Sequence, residues 1–288
     1  MTLLVEDAGP LLLVQDLGRA GNAHLGVPPS GALDPAALTL ANRLVGNPQT
    51  AAGLEILTGG VKLRARGSLR IALCGGLLGL RIAGRAGAWG TASSIRAGEL
   101  LELLPGAGLR AWLAVGGGID VPLTLGSRST DILSGLGPPA VRAGDELRTG
   151  TPPLADPAGE AHPAPTPDVV TLDVVLGPRD SWFTLPALDV FFSTEYTVSP
   201  SSDRTALRLD NGVPLDRRVD GELPSEGVVT GAVQVTTNGR PLIFLADHPV
   251  TGGYPVLAVI EPPGLAACAQ ARPGDRVRFR RWRPGRPG

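Results

Sequence analysis

Several turns in this chain gather polar side chains that could do chemistry. Gln15-Asp16-Leu17-Gly18-Arg19 is followed by His24-Leu25-Gly26-Val27-Pro28-Pro29-Ser30-Gly31-Ala32-Leu33-Asp34. Glycines and prolines fix tight turns there, and Asp16, Arg19, His24, Ser30 and Asp34 supply the polar groups of a loop. The loop runs into a helix start at Asp34-Pro35, whose N–H groups and partial positive charge suit a carboxylate or carbonate. The plainer reading is that Asp34 caps the helix and Asp16 pairs with Arg19. Ser199-Pro200-Ser201-Ser202-Asp203-Arg204 is a second polar turn, with Arg208 beyond it. Arg204 suits bidentate binding of a carboxylate, and Asp203 suits holding it or acting as a base; the competing reading is a capped turn with a surface ion pair. A third group comprises Leu223-Pro224-Ser225-Glu226-Gly227, then Gln234, then Ala246-Asp247-His248-Pro249-Val250-Thr251-Gly252-Gly253-Tyr254-Pro255. Asp247 ends an apolar strand, and Gly252-Gly253 permits close backbone approach to a ligand, or simply a Gly-rich hairpin.

The elements that must position these turns are mostly strands. Short apolar runs bounded by Gly, Pro, Asn or Asp predict strands at 11–14, 60–65, 69–73, 100–104, 109–115, 169–176, 228–236 and 241–246. One clear helix runs from an Asp34 N-cap with Pro35 at its first position, through Ala37, Leu38, Ala41, Leu44 and Val45, to Gly46. A shorter helix is expected over 264–271. The segment 152–167, rich in proline and without hydrophobic period, reads as a linker between an N-terminal half (1–151) and a C-terminal half (168–288). Arg142-Ala143-Gly144-Asp145-Glu146-Leu147 resembles Arg272-Pro273-Gly274-Asp275-Arg276-Val277, each a Gly-Asp turn feeding a strand, so the halves read as related. The expectation is a mainly β architecture of paired barrels.

Composition narrows the chemistry. Across 288 residues, Lys+Arg 26 against Asp+Glu 27 leaves a net charge of -1, which gives no general field for nucleic acid or an anionic membrane. Gly 40 and Pro 28 beside 43% hydrophobic residues fit punctuated short elements rather than disorder. No apolar run is long enough to span a membrane and Met1-Thr2-Leu3 leads into acidic residues, so a soluble, cytoplasmic protein is expected. Cys74 and Cys268 read as buried thiols. His24, His162 and His248 show no metal-binding spacing, so no metal site is expected. Lys62 is the only lysine, so no phosphate-binding GK[ST] loop exists, and its strand-start setting does not suit biotin attachment. Gly116-Gly117-Gly118-Ile119-Asp120 lacks dinucleotide-fingerprint spacing and reads as a turn.

Taken together, these segments resemble one known family. Gln15–Arg19, Gly26–Asp34, Leu40-Ala41-Asn42-Arg43-Leu44-Val45-Gly46-Asn47 and Leu54-Glu55 are similar to the start of the biotin-dependent carboxyltransferase subdomain A/B family. That family includes the KipA-like C subunit of 5-oxoprolinase and the carboxyltransferase part of urea carboxylase. Gly116–Pro122 with Leu125-Gly126-Ser127-Arg128-Ser129-Thr130-Asp131, Ser202–Arg204, Pro224–Gly227, Gly231–Val235 and Thr251–Pro255 continue the likeness in the family's order. The family's Ser-Asp-Arg-x-Gly pattern becomes Ser202-Asp203-Arg204-Thr205-Ala206, and Val256 stands where a lysine is usual. His248-Pro249-Val250 replaces a more polar stretch. Losing that lysine removes a cation for an acidic substrate, which bears on specificity rather than on fold.

The resemblance implies two cyclophilin-like β-barrel halves with a few short helices. It also implies the KipA-like component of an ATP-dependent 5-oxoprolinase, a hetero-oligomer with a KipI-like protein and a LamB/YcsF-type protein that hydrolyses 5-oxo-L-proline to L-glutamate. Such a chain would not act alone. The expected site lies between the halves. Asp34, Asn42, Asp203 and Asp247 are its expected catalytic groups: Asp203 or Asp247 as acid/base, Asn42 with Ser30 as oxyanion donors. Ser30, Ser202, Arg204, Gln234, Gly252, Gly253 and Tyr254 are its expected substrate-binding groups, Arg204 holding the substrate carboxylate. Two other roles are open: biotin-dependent carboxyl transfer to urea or another small amide, which needs a carboxybiotin partner, and non-enzymatic regulation through a KipI-like kinase inhibitor.

Overall fold

The computed structural model describes residues 1–152, 159–162, 167–219, 221 and 223–283. Most of the expected linker, residues 153–158 and 163–166, lies outside the described residues. The chain divides into two units, Met1–Arg19 with Ser30–Pro165, and Ala20–Pro29 with Thr166–Gly288. Among the described residues no helix is long and apolar enough to cross a membrane.

In the first unit the strands are β1 (Thr2–Ala8), β2 (Leu11–Gln15), β3 (Gly53–Leu57), β4 (Val61–Ala65), β5 (Leu69–Gly75), β6 (Gly79–Ile82), β7 (Arg85–Ala86), β8 (Ser93–Ile95), β9 (Leu100–Leu104), β10 (Arg110–Val115) and β11 (Glu146–Arg148). They form a six-stranded sheet in the order β11-β1-β4-β9-β6-β7 and a five-stranded sheet in the order β2-β3-β10-β5-β8. Alternation decides which side chains meet. In β4, Val61, Leu63 and Ala65 are buried while Lys62 and Arg64 are not. With Leu3 and Val5 of β1 they join Leu54 and Ile56 of β3 and Leu113 and Val115 of β10 in one core fed by both sheets. Helix α1 (Pro35–Val45) packs on β5 and β10 and buries Ala37, Leu38, Ala41, Leu44 and Val45. Its start is as expected: Asp34 Oδ1 accepts from the Ala37 N–H at 2.9 Å, Pro35 stands at the first turn, and Gly46 ends it.

The second unit closes a barrel whose strands run round it in the order Val169–Leu176, Val256–Ile260, Ala232–Val235, Pro241–Phe244, Ala206–Asp210, Tyr196–Val198 and Arg276–Arg281. Its strands are β12 (Val169–Leu176), β13 (Tyr196–Val198), β14 (Ala206–Asp210), β16 (Ala232–Val235), β17 (Pro241–Phe244), β19 (Val256–Ile260) and β20 (Arg276–Arg281), while β15 (Glu226–Gly227) and β18 (Thr251–Gly252) make a separate ribbon. Closure comes from the parallel β12–β20 pair, Val169 opposite Arg276 through Val174 opposite Arg281. Helix α2 (Leu185–Ser193), which the sequence pattern does not predict, places Phe191 against Phe279 with ring centroids 4.3 Å apart. Helix α3 (Pro262–Gln270) begins two residues before the expected one, because Pro262 and Pro263 are tolerated in a first turn.

The expected strands are present, with 228–236 shortened to Ala232–Val235. The structure is mainly β, with the barrel closed in the second unit and two sheets around a shared core in the first. The two Gly-Asp turns have the same geometry. Asp145 Oδ2 accepts from the Arg142 N–H at 2.8 Å and Asp275 Oδ2 from the Arg272 N–H at 2.7 Å, with Gly144 and Gly274 at φ 95° and 93°. Each turn delivers a buried residue to its strand, Leu147 and Val277.

Candidate functional site

In the first unit, distant segments meet at the end of β2. Asp16 follows that strand and is 8% exposed. Its Oδ1 accepts from the Ser127 and Ser129 hydroxyls at 2.6 Å each and from the Gly18 N–H at 2.8 Å, and its Oδ2 accepts from the Arg128 N–H at 2.6 Å. Four charge-assisted bonds fix this carboxylate as an acceptor. Asp16 therefore does not take Arg19 as its partner; Arg19 donates to the carbonyls of Ser129 and Thr124. The Ser30–Asp34 segment joins the same cluster through Ala32 N–H to Asp16 O at 2.9 Å. Ser30 and Gly31 both have positive φ, 51° and 92°, and a Cβ on Gly31 would stand 2.8 Å from the Gly18 nitrogen, so only glycine fits that approach.

Two expected oxyanion donors are committed elsewhere. The single O–H of Ser30 donates to Thr130 O at 3.1 Å. Asn42 is fully buried and spends its amide donors on Ala51 O at 2.7 Å and Gln49 O at 3.4 Å, while its own oxygen accepts from Asn47 Nδ2 at 3.0 Å. The Asn42 amide thus ties α1 to the following loop. Beside Ser30, the Gln15 Oε1 and Thr130 Oγ1 atoms are buried without a hydrogen-bond partner.

Asp34 keeps a chemical role open. Burial raises its pKa from the ordinary value; the Ala37 and Ala36 amides oppose the rise, and the nearby Glu55 charge adds to it. Such a carboxyl holds its proton longer than a solvated one, which suits acid/base work. Glu55, on β3 and 3% exposed, accepts from the Leu33 N–H at 3.3 Å and lies 3.8 Å from Arg110 Nε. It faces away from the sheet core because its neighbours Leu54 and Ile56 face into it.

In the second unit, Arg204 and Asp247 find each other. Arg204 Nε donates to Asp247 Oδ2 at 2.8 Å and Nη2 to Oδ1 at 3.0 Å, and the side chains are 1% and 0% exposed. The guanidinium and the carboxylate thus form a bidentate, solvent-free pair in which each group is the other's partner. Ser202 is likewise absorbed, its hydroxyl accepting from the Arg208 N–H at 3.0 Å and donating to Arg208 O at 3.4 Å. Asp203 is exposed, with Oδ1 accepting from Thr205 N–H at 2.7 Å and Ala206 N–H at 3.1 Å.

The β15–β18 ribbon sets Glu226 opposite Gly252 and so joins the Pro224–Gly227 and Thr251–Pro255 segments. Arg179 anchors the ribbon through Glu226, Nη2 to Oε2 at 2.7 Å and Nε to Oε2 at 3.0 Å. Gln234 is 2% exposed and donates to Tyr254 O at 2.9 Å, which ties it to this loop. Gly252 passes so close that an added Cβ would lie 2.5 Å from Gln234 Nε2. Gly253 and Tyr254 are exposed at the loop's crest. Asp16, Ser127, Ser129 and Glu55 were not among the expected site residues. Gln15-Asp16, Leu54-Glu55 and Ser127-Arg128-Ser129 stand out in sequence as segments of the family resemblance, but nothing in residue order joins Asp16 to serines more than a hundred residues away.

Residues 25–281 match the family model described as carboxyltransferase domain, subdomain A and B. The chain is 34% identical to the 5-oxoprolinase C subunit of Escherichia coli over 96% of this chain and 90% of that protein. It is 32% identical to the urea amidolyase of Lachancea kluyveri over 96% of this chain and 16% of that protein. The crystal structure of TTHA0988 superposes with a TM-score of 0.88 at 36% identity, over 97% of this chain and 55% of that one, so this chain spans about half of its length. With a fold, a whole-chain sequence match and the motif-bearing turns in agreement, this chain belongs to the carboxyltransferase subdomain A and B family.

Proposed function

We propose that this chain is the KipA-like component of a cytoplasmic, ATP-dependent 5-oxoprolinase, acting with a KipI-like protein and a LamB/YcsF-type protein to open 5-oxoproline to glutamate. The observation that carries this reading is a 34% identity spanning nearly all of both this chain and its E. coli relative. The two units are proposed as the related cyclophilin-like halves, bounded as 1–151 and 168–288. Asp34 is the proposed acid/base group, since burial leaves it protonated further up the pH scale than an ordinary carboxyl. Asp203 is a second candidate because its carboxylate is exposed. The Gly252–Tyr254 loop is the proposed substrate-facing surface of the second unit.

ATP and biotin enter this proposal differently. The one lysine, Lys62, lies inside β4 opposite Glu102 of β9 and Asp7 of β1, in the middle of a sheet rather than at a hairpin tip. It does not fit a biotin carrier, and no step is derived through biotin on this chain. ATP would supply activation of the resonance-stabilised ring amide, with the energy of its hydrolysis offsetting ring opening.

Glutamate release from 5-oxoproline is measured with the three proteins and ATP, against the same mixture lacking this chain. Dependence on this chain supports the reading, and folded, associated components without turnover refute it. The urea amidolyase likeness favours a second reading, carboxyl transfer to a small amide. Co-purification of a biotinylated protein, detected with streptavidin, selects it.

A further inference from the structure

The sheet face beneath α1 carries a buried carboxylate in an otherwise neutral row. Antiparallel register sets Glu55 of β3 opposite Leu13 of β2 and Trp112 of β10, and Trp112 opposite Cys74 of β5. Directly paired residues share a face, and this one is turned from the shared core because Leu54, Ile56, Leu73 and Leu113 fill that side. Helix α1 packs on β5 and β10 and so roofs the row. Glu55 is 3% exposed, and Trp112 and Cys74 are closed to solvent. Arg110, two residues before Trp112 and therefore on the same face, sets its Nε 3.8 Å from Glu55 Oε1, which offsets the cost of burying that charge.

Glu55 reaches the start of the helix. Its Oε2 accepts from the N–H of Leu33, the residue before Asp34. The Ala37 N–H holds Asp34 Oδ1 from the other side. A strand side chain thus fixes the backbone on one flank of Asp34, and the first helical turn fixes the carboxyl on the other. The facing charged or titratable groups from the remaining elements are Arg43 of α1, Arg110 of β10 and Cys74 of β5, whose thiol burial pushes up to about 12, so that it stays neutral. Arg70, on the same face of β5, reaches the opposite end of α1 at Val45 O. Burial is the leading cause that raises the Asp34 carboxyl, and the Glu55 charge adds to it in the same direction.

We infer that Glu55 is a positioning residue for Asp34: it holds the helix-start backbone through the Leu33 N–H and sets a negative charge behind the Asp34 carboxyl, so that Asp34 keeps a proton for its acid/base role. A charge on a face closed to solvent is weakly screened, which lets it act on a neighbour it does not touch. The inference rests on the reading of Asp34 as the acid/base group, but the coupling between the two carboxyls is measurable without turnover.

The side-chain carboxyl carbons of Asp34 and Glu55 are followed by carbon-detected NMR across acidic pH in the full chain, with Asp34→Asn assigning the Asp34 signal. Glu55→Gln keeps an oxygen for the Leu33 N–H and removes the charge, so the Asp34 midpoint should fall by about 0.3–1 pH unit. An unmoved midpoint in the folded variant overturns the inference. Because Glu55→Gln also takes the carboxylate from buried Arg110, the wild type supplies a second test that needs no variant of Glu55. Carboxyls that feel one another titrate in coupled steps, so each carbon should report the other's midpoint, and two independent single-step curves overturn the inference. In the three-protein mixture with ATP, glutamate release by Glu55→Gln should fail at lower pH than wild type, its alkaline limb displaced by the same interval as the Asp34 midpoint. A rate lowered equally at every pH marks a merely structural role and overturns the inference as well. If the wild-type mixture shows no turnover, the proposed function fails, and the two titrations alone decide whether Glu55 sets the charge state of Asp34.

Discussion

Replacing Arg204 by alanine strips the counter-charge from Asp247 while leaving that carboxylate sealed in the barrel unit, at 0% exposure. Two charge-assisted bonds, 2.8 and 3.0 Å long, are lost together. Breaking a buried pair from one side costs about 3–5 kcal/mol, because the remaining charge stays in a solvent-free site without its guanidinium. At about 2–4 °C per kcal/mol for a unit of this size class, the melting midpoint should fall by about 6–20 °C. Asp247→Ala should cost a comparable amount. Replacing both with apolar residues of similar volume, Arg204→Met with Asp247→Leu, should recover most of the loss, since no charge is then stranded. Urea unfolding followed by far-ultraviolet circular dichroism, on wild type, both alanine variants and the apolar pair, reads the whole cycle. The reasoning fails if Arg204→Ala unfolds within about 0.5 kcal/mol of wild type, the size of an ordinary surface change. It also follows that activity lost in Arg204→Ala has to be read beside the folding of that variant.

Asp34→Asn keeps a good N-cap and removes a carboxyl whose folded pKa is raised by burial. The folded wild type binds the extra proton between the unfolded and folded pKa values, so its stability falls as pH rises through that window. The Asn variant should lack this slope in urea midpoints measured across acidic pH, and Asp34→Ala should lack it too while losing about 1 kcal/mol through the missing cap. Cys74 and Cys268 are buried, and burial pushes both thiols up to about 12. At pH 8 only about one thiol in ten thousand is ionised, so Ellman's reagent should label native protein only at the rate at which it opens, and promptly in urea. Gly252→Ala should cost about 1–3 kcal/mol by driving a Cβ against Gln234 Nε2, and adding Gln234→Ala should cost less than the two changes summed; an additive result refutes the clash.

Local patterns carried much of this fold. Asp34, Pro35 and Gly46 bounded α1 because caps and stops act over a few residues, and the Gly-Asp turns at 144–145 and 274–275 repeated because each is closed by its own aspartate. Strand positions were legible from apolar runs, since burial on a pleated face needs only alternation. Helix α2 escaped because Leu185–Ser193 is apolar nearly all round and carries β-branched and aromatic residues, a pattern that fits a strand as well.

The segments of the candidate site were visible in sequence, but the roles of their side chains were not. Whether Arg204 meets a ligand or Asp247 depends on strand register across 43 residues, and whether Asp16 meets Arg19 or two serines depends on a return of the chain more than a hundred residues later. A polar side chain in a turn has the same sequence signature whether it faces solvent or a partner. Only burial separates the two, because a charge removed from water must be paired. The family, the β-rich class and the turns that carry the polar residues are therefore readable from residue order, where local rules act. Long-range packing is what gives Ser30, Asn42, Ser202, Arg204, Gln234 and Asp247 their protein partners, and residue order does not specify those partners.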